Sequence, residues 1–224
     1  MRSEVSPSVT QSPSKILIVL GGSPPDSALL REHFEWSERS IAADSGLDSF
    51  KNAGLSPDVA IGDFDSFHGD PHQFAKQVIS APEQNATDFQ KALRMIDGST
   101  PELEITILGG TGRRADHFLT NLLIVAEKWP EAAFTFHDLD QSIYRVSPQK
   151  ALEMSNCSIG STVSLIPMSR AAGVTTQGLH WELTDASMEP NGQLGQSNVQ
   201  ESEILSISIR TGALFVIINR NLRD

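Results

Sequence analysis

The stretch Ile61-Gly-Asp-Phe-Asp-Ser66 places two carboxylates, Asp63 and Asp65, two residues apart directly after the apolar run Val59-Ala60-Ile61. In an extended segment residues i and i+2 project to one side, so both carboxylates reach the same point. Paired carboxylates at a rigid strand end suit a hard cation such as Mg2+, which takes oxygen ligands and keeps room for phosphate oxygens. Taken alone, two acidic residues in a loop are ordinary solvated turn residues. A second stretch, Gly109-Gly-Thr-Gly-Arg-Arg-Ala-Asp-His117, runs from an apolar segment into a helical pattern. Backbone amides of such a loop at a helix N-terminus form an anion site, to which Arg113 or Arg114 can add a guanidinium fork. Asp44 closes the run Ile41-Ala42-Ala43 and is either a site residue or the N-cap of the next helix. Gln84-Asn-Ala-Thr-Asp88 leads into Phe89, Ala92, Leu93 and Ile96, an i, i+3, i+4, i+7 face. Thr87 or Asp88 therefore stands at a helix N-terminus, and a cap needs only one of them.

The elements that must position these groups follow from apolar periodicity. Lys15-Ile-Leu-Ile-Val-Leu20 is a continuous aliphatic run ending in Gly21-Gly22, as expected of a buried parallel strand entering a loop. Leu29, Leu30 and Phe34 share a helical face, residues 41–43 make a second strand, 47–53 a helix with Gly54 as its stop, and 59–61 a third strand. Val78-Ile79, residues 105–108 and residues 133–136 add strands, and 118–129 has a long helical period. Strands alternating with helices predict an α/β domain with a mostly parallel sheet flanked by helices. Ligands of such sheets bind at the carboxyl ends of the strands, where Asp44, Asp63, Asp65, Asp88 and the 109–117 loop all fall. That convergence favours a metal–phosphate site over five unrelated turns.

After Asp140 the pattern changes. Residues 143–146, 162–166, 181–183, 204–209 and 213–218 are short apolar runs between Gly, Pro, Asn and Ser turns, with almost no helical period. They predict an antiparallel β-sandwich or barrel, with Trp181 in its core and Gly195-Gln-Ser-Asn198 in a polar loop. The expected organisation is a disordered leader over 1–14, an α/β domain over 15–139 and a C-terminal antiparallel β-sandwich domain over 140–224.

Composition sets the outer bounds. A chain of 224 residues with 39% hydrophobic and 20% charged residues has an ordinary globular balance. Its net charge of −11 argues against general nucleic-acid binding but not against a phosphate-bearing substrate, since a bound divalent cation inverts the local field. The single Cys157 forms no internal disulfide; with no secretory segment and no run long enough to span a membrane, the expected location is the cytoplasm.

Several ordered blocks together resemble the thiamine pyrophosphokinase family over nearly the whole chain from Lys15. They are Ala43-Asp-Ser-Gly46, Pro57-Asp58, Ile61-Gly-Asp-Phe-Asp-Ser66, Thr87-Asp-Phe89 with Lys91-Ala-Leu93, Gly112-Arg-Arg-Ala-Asp-His117 with Leu119 and Asn121-Leu122, Gly178-Leu-His-Trp-Glu-Leu183 and Ser197-Asn198. The resemblance implies transfer of pyrophosphate from ATP to the hydroxyl of thiamine with Mg2+, giving thiamine diphosphate and AMP. It also implies a homodimer whose active site lies between the first domain of one subunit and the second domain of its mate. Carried over by position, Asp44, Asp63, Asp65 and Asp88 form the catalytic acidic cluster, with the metal on Asp63, Asp65 and Asp88. Ser66, Gln84, Thr87, Arg114 and Asp116 line the nucleotide side, and Ser197 and Asn198 hold the aminopyrimidine of thiamine. Asp65 or Asp88 takes the hydroxyl proton. Three positions depart from the family pattern: Ser45 and Arg113 stand where it has glycine, and Asn85 where it has an acidic residue. The competing readings are a diphosphokinase of another alcohol, such as a hydroxymethyl-pterin, and a nucleotide-binding regulator without catalysis.

Overall fold

A computed structural model describes residues 14–219 apart from Ser66, Ser99 and Pro101. The leader expected over 1–14 lies outside the described residues except for Ser14, as does the nucleotide-side candidate Ser66.

The central strands of the first half are largely apolar on both faces because both faces are covered. β1 (Lys15–Val19), β2 (Arg39–Ala43), β3 (Val59–Gly62), β4 (Gln77–Ser80), β5 (Glu104–Leu108) and β6 (Ala133–His137) run parallel in the order β6-β5-β1-β2-β3-β4. On one face Leu17, Val19, Ala42 and Ala60 pack with Leu29 and Leu30 of α1 (Ser27–Trp36) and with Leu47 and Phe50 of α2 (Gly46–Ala53). On the other, Ile16, Ile18, Ile61, Ile105 and Phe136 pack with Phe89 and Leu93 of α3 (Asp88–Leu93) and with Leu122 and Val125 of α4 (Ala115–Ala126). The Asp26 carboxylate caps α1 by accepting from the amides of Ala28 and Leu29, both at 2.8 Å. Gly54 ends α2 in the left-handed conformation expected of a C-terminal glycine.

The strand order creates the site. From β1 the chain moves outward on one side through β2, β3 and β4, then returns to lay β5 on the other side of β1. The loops after β1 and β5 therefore part at a topological switch point, the crevice where open α/β sheets bind ligands.

The second half is antiparallel: β7 (Gln141–Val146), β8 (Leu152–Met154), β9 (Thr162–Pro167), β10 (Ala171–Gln177), β11 (Ala186–Met188), β12 (Gly195–Val199), β13 (Leu205–Ser208) and β14 (Leu214–Asn219). β7 pairs antiparallel with β6, and the first sheet continues through β14, β9 and β12 to ten strands. Strands β11-β10-β13-β8 form a second sheet, and Val146, Val163, Leu165, Val174, Ile207 and Leu214 fill the sandwich. The two expected halves are present, but no gap separates the sheets at residue 140. The joint is reinforced by Arg145, whose buried guanidinium donates to the carbonyls of Val125, Lys128, Trp129 and Ala132 at the end of α4. Burial lowers its pKa to about 10, so it remains a cation at neutral pH and complements the helix C-terminus. Residues 181–183 form a bend rather than a strand, and the polar segment expected as a loop is the edge strand β12.

Candidate active site

The loops after β1, β2 and β5, together with residues 84–90, enclose a cleft of about 690 Å3. That volume lies in the range of small-molecule sites. Gln84, Thr87, Asp88, Arg114 and Asp116 all line it, as does Asp44.

Asp44 and the Asp63–Asp65 turn meet at one point. Oxygens of Asp44, Asp63 and Asp65 lie within 4.8 Å of one another. Strand alternation is not what converges the last two, because β3 ends at Gly62 and Phe64 turns the chain with a left-handed φ of 56°. The Asp65 amide then donates back to Asp63 Oδ1 at 3.3 Å. Asp44, itself left-handed at φ 48°, bonds the Ile61 carbonyl at 2.8 Å and reaches over β3. Gly62 makes that approach possible, since a Cβ there would sit 3.0 Å from the Asp44 Cα and 3.2 Å from its Oδ1.

Asp44 is no helix cap, because α2 begins after Ser45 and has no side-chain cap bond. Its Oδ1 is buried with no hydrogen-bond partner. Burial raises its carboxyl above the usual range, and the nearby carboxylates Asp88, Asp63 and Asp65 add to the shift. An orphaned oxygen facing two exposed carboxylates is the donor set a hard divalent cation satisfies. The gathered trio thus contains Asp44 in the place expected for Asp88. Thr87 caps α3 through a reciprocal box with Gln90, which leaves Asp88 free of capping, and Asp88 pairs with the buried Lys91 ammonium at 3.1 Å.

Across the cleft, the glycine-rich loop is fixed from three sides. The amides of Gly22 and Ser23 donate to the carbonyls of Gly109 and Thr111, each at 2.8 Å. Asn121 of α4 donates to the Gly110 carbonyl at 3.0 Å, and the Thr111 hydroxyl donates to Asp138 at 2.9 Å. Gly112 has a φ of 71°, which suits only glycine comfortably, and Arg113 follows at 51°. Arg114 is committed to Asp116 by two hydrogen bonds of 3.1 and 2.5 Å, which hold the Asp116 carboxyl below its usual range. The three departures all border this cleft: Asn85 and Arg113 line it, as does Ser45.

Ser197 and Asn198 do not join these residues within one chain. They lie on β12, six strand spacings from β1 in the same sheet, about 29 Å. Ser197 is exposed with a φ of 57°. Asn198 is only 5% exposed, and its carboxamide accepts from the Trp181 amide at 3.1 Å and donates to the Trp181 carbonyl at 2.8 Å. Trp181, expected in the core, is 60% exposed. An indole held out to solvent on a backbone clamped at both N–H and C=O is a ready stacking surface. Nothing in the local pattern announced it; a tryptophan between His180 and Glu182 reads equally as strand or loop.

A switch-point cleft with Asp44 on one wall and a glycine-rich loop on the other, beside the Asp63–Asp65 turn, has the donor types that metal- and phosphate-handling proteins use. Comparison with known proteins narrows the class. Residues 30–133 match the family model described as thiamin pyrophosphokinase, catalytic domain, and residues 147–214 the one described as thiamin pyrophosphokinase, vitamin B1 binding domain. The chain belongs to the thiamin pyrophosphokinase family. Thiamine pyrophosphokinase 1 of Oryza sativa subsp. japonica is 29% identical over 184 residues, covering 74% of this chain and 67% of that one. The chain spans about two thirds of the length of the plant relatives it matches. Among solved structures, thiamin pyrophosphokinase from Geobacillus thermodenitrificans superposes with a TM-score of 0.75 at 26% identity, covering 93% of this chain and 98% of that one. Thiamine pyrophosphokinase from Bacillus subtilis shares the fold, with a TM-score of 0.76 at 24% identity over 92% of this chain and 99% of that one. Among the described residues no helix is long and apolar enough to cross a membrane.

Proposed function

We propose that this chain is an ATP-dependent thiamine pyrophosphokinase, converting ATP and thiamine to AMP and thiamine diphosphate. The observation that carries the reading is Asp44, with its orphaned oxygen, lining the cleft opposite the glycine-rich loop while also gathering with Asp63 and Asp65 at one point. The match of residues 147–214 to a vitamin B1 binding model favours thiamine over a pterin alcohol as acceptor.

In this reading Asp44, Asp63 and Asp65 hold Mg2+, which when bound neutralises phosphate charge. The amides of residues 109–112 receive phosphate oxygens, and Gln84 and Thr87 border the nucleotide. The thiamine hydroxyl oxygen attacks the β-phosphorus of ATP in line. The new O–P bond forms as the bond to the oxygen bridging the α- and β-phosphorus breaks, AMP leaves with that oxygen, and the hydroxyl proton passes to a cleft carboxylate. Such transfer depends on positioning and charge neutralisation more than on covalent help.

A homodimer is part of the proposal, because one chain keeps Ser197, and Trp181 clamped beside it by Asn198, away from the cleft, with β12 about 29 Å along the sheet from β1. Delivered by a second copy, Trp181 stacks on the thiamine ring while Ser197 hydrogen-bonds it. Asn198 acts chiefly through Trp181, whose backbone it clamps. A cytoplasmic location accords with the use of ATP. The test is a coupled assay for AMP with and without thiamine. Thiamine-dependent AMP release is the expected result; ATP binding without AMP release sinks the enzyme reading, and release driven by a pterin alcohol instead reassigns the acceptor.

A further inference from the structure

Arg113 stands out in the glycine-rich loop for a side chain that the loop itself does not use. Its φ is 51°, a left-handed conformation that glycine adopts freely and that costs a bulky residue strain. Three of the four residues before it, Gly109, Gly110 and Gly112, are glycine, so the chain carries its large side chain at a position glycine would fill with least strain. The guanidinium is exposed, lines the cleft and makes no hydrogen bond or ion pair to any described residue. Strain that no packing interaction repays collects at functional positions.

The neighbouring charges show what such a side chain can do. Arg113 and Arg114 are the permanent cations among the described lining of the cleft. Both nitrogen arms that Arg114 offers to Asp116 are engaged, at 3.1 and 2.5 Å, so its fork already has a carboxylate. Lys91, three residues along α3 from Asp88, is buried and already paired with it. A polyphosphate entering a cleft with Asp44, Asp88 and Asp116 on its walls meets one uncommitted guanidinium, that of Arg113.

We infer that Arg113 binds the triphosphate of ATP, taking the cationic role that the paired Arg114 does not fill alone. The inference deepens the proposed function and rests on it for the identity of the nucleotide. A planar fork donating to phosphate oxygens is the strongest contact this side chain makes, and lysine reproduces the charge but not the fork. The contact is made to substrate rather than to protein, so its loss leaves the fold intact.

Calorimetric titration of the full-length chain with ATP and Mg2+ compares the parent with Arg113→Gly and Arg113→Lys. Arg113→Gly is expected to weaken ATP about tenfold, the worth of one charge-assisted contact, and Arg113→Lys to recover part of the loss. The Tm of Arg113→Gly stays within about 2 °C of the parent, because glycine accepts the same backbone angle. In steady-state assays the KM for ATP rises while the KM for thiamine does not. An ATP affinity for Arg113→Gly within twofold of the parent overturns the inference, as does a loss matched by a fall in Tm and in thiamine affinity, which marks a structural role. If the parent binds ATP yet releases no AMP with thiamine, the reaction proposed above fails while the titration still decides the role of Arg113. A parent that binds no ATP overturns both.

Discussion

The Asp44 carboxyl sits where burial and the nearby Asp88, Asp63 and Asp65 oppose its ionisation, and one of its oxygens has no partner. A carboxyl raised in the folded state supports the fold at low pH, and that support is lost as pH rises through the raised value. On the proposed reading, the unpaired charge of Asp44 costs the metal-free fold stability at neutral pH, and a divalent cation held there would offset that cost. Asp44→Asn is expected to raise the Tm in chelator at pH 7 by about 2–4 °C, the shift one kcal/mol produces in a chain of this size. The same variant should lose the Tm increase that Mg2+ gives the parent. The gain in chelator should fade as pH falls through the raised value and vanish below the ordinary carboxylate range, where Asp44 is neutral in both states; melts with and without Mg2+ across pH check both signs. Asp63→Asn should lower turnover about a hundredfold or more, the scale of a lost charge contact to the transition state. Turnover within threefold of the parent would remove Asp63 from the site. At this scale the spacing of Asp63 and Asp65 was legible, whereas the grouping of Asp44 with them was not. Which third carboxylate joins them depends on Gly62 admitting Asp44 and on Lys91 occupying Asp88, and both are tertiary facts.

Elements reveal a division of labour along the parallel strands, with chemistry at their carboxyl ends and stitching at the other. Asp58 accepts from the Ser40 amide at 2.8 Å, the Ser40 hydroxyl at 2.9 Å and Lys76 at 2.8 Å, tying together the starts of β2, β3 and β4. Burial alone would raise the Asp58 carboxyl, but Lys76 and the two Ser40 donors outweigh it and hold the carboxyl low. A depressed carboxyl stabilises the fold above its ordinary value, and the contribution is lost as pH falls through the depressed one. Asp58→Asn should lower the Tm at pH 7 by a few degrees, since the partly exposed Lys76 pair adds little to the Ser40 bonds. The difference from the parent should shrink as the solution is acidified, and KM values should hold because Asp58 is remote from the cleft. A Tm deficit that persists unchanged into acid would refute the charge-based account. The parallel strands were legible because burial on both faces demands runs such as Ile16 to Val19. The sandwich was read less well: β10 (Ala171–Gln177) is built of Ala, Gly, Val, Thr and Gln, and its burial against Arg210 and β13 comes from small side chains without alternation. β12 escaped notice because it is a polar edge strand whose register shifts between Gly195 and Asn198.

At the scale of the molecule, the continuous ten-stranded sheet is what forces the question of assembly. β6 and β7 pair directly and Arg145 ties the end of α4 to the sandwich, so the sandwich extends the sheet away from the cleft rather than folding over it. Trp181 and Ser197 reach a cleft only if a second copy supplies them. A second copy in the proposed dimer would find apolar surface on α4, since Leu119 and Leu123, one helical turn apart, are 54% and 60% exposed. The arrangement predicts complementation between defective chains. Asp63→Asn disables the cleft of its own chain, and Trp181→Ala disables the platform its chain lends to a mate, so each variant alone should be nearly inactive. Unfolded together in equal amounts and refolded, half the dimers are mixed, and in each mixed dimer one site combines an intact cleft with an intact platform. About a quarter of the parent activity should therefore return. If each chain builds its own site, mixing restores nothing, whatever its oligomeric state, and the shared-site reading falls. Light scattering on the parent and on Leu123→Lys separates loss of assembly from loss of chemistry: a monomeric Leu123→Lys that still binds ATP but no longer consumes thiamine is the expected pattern.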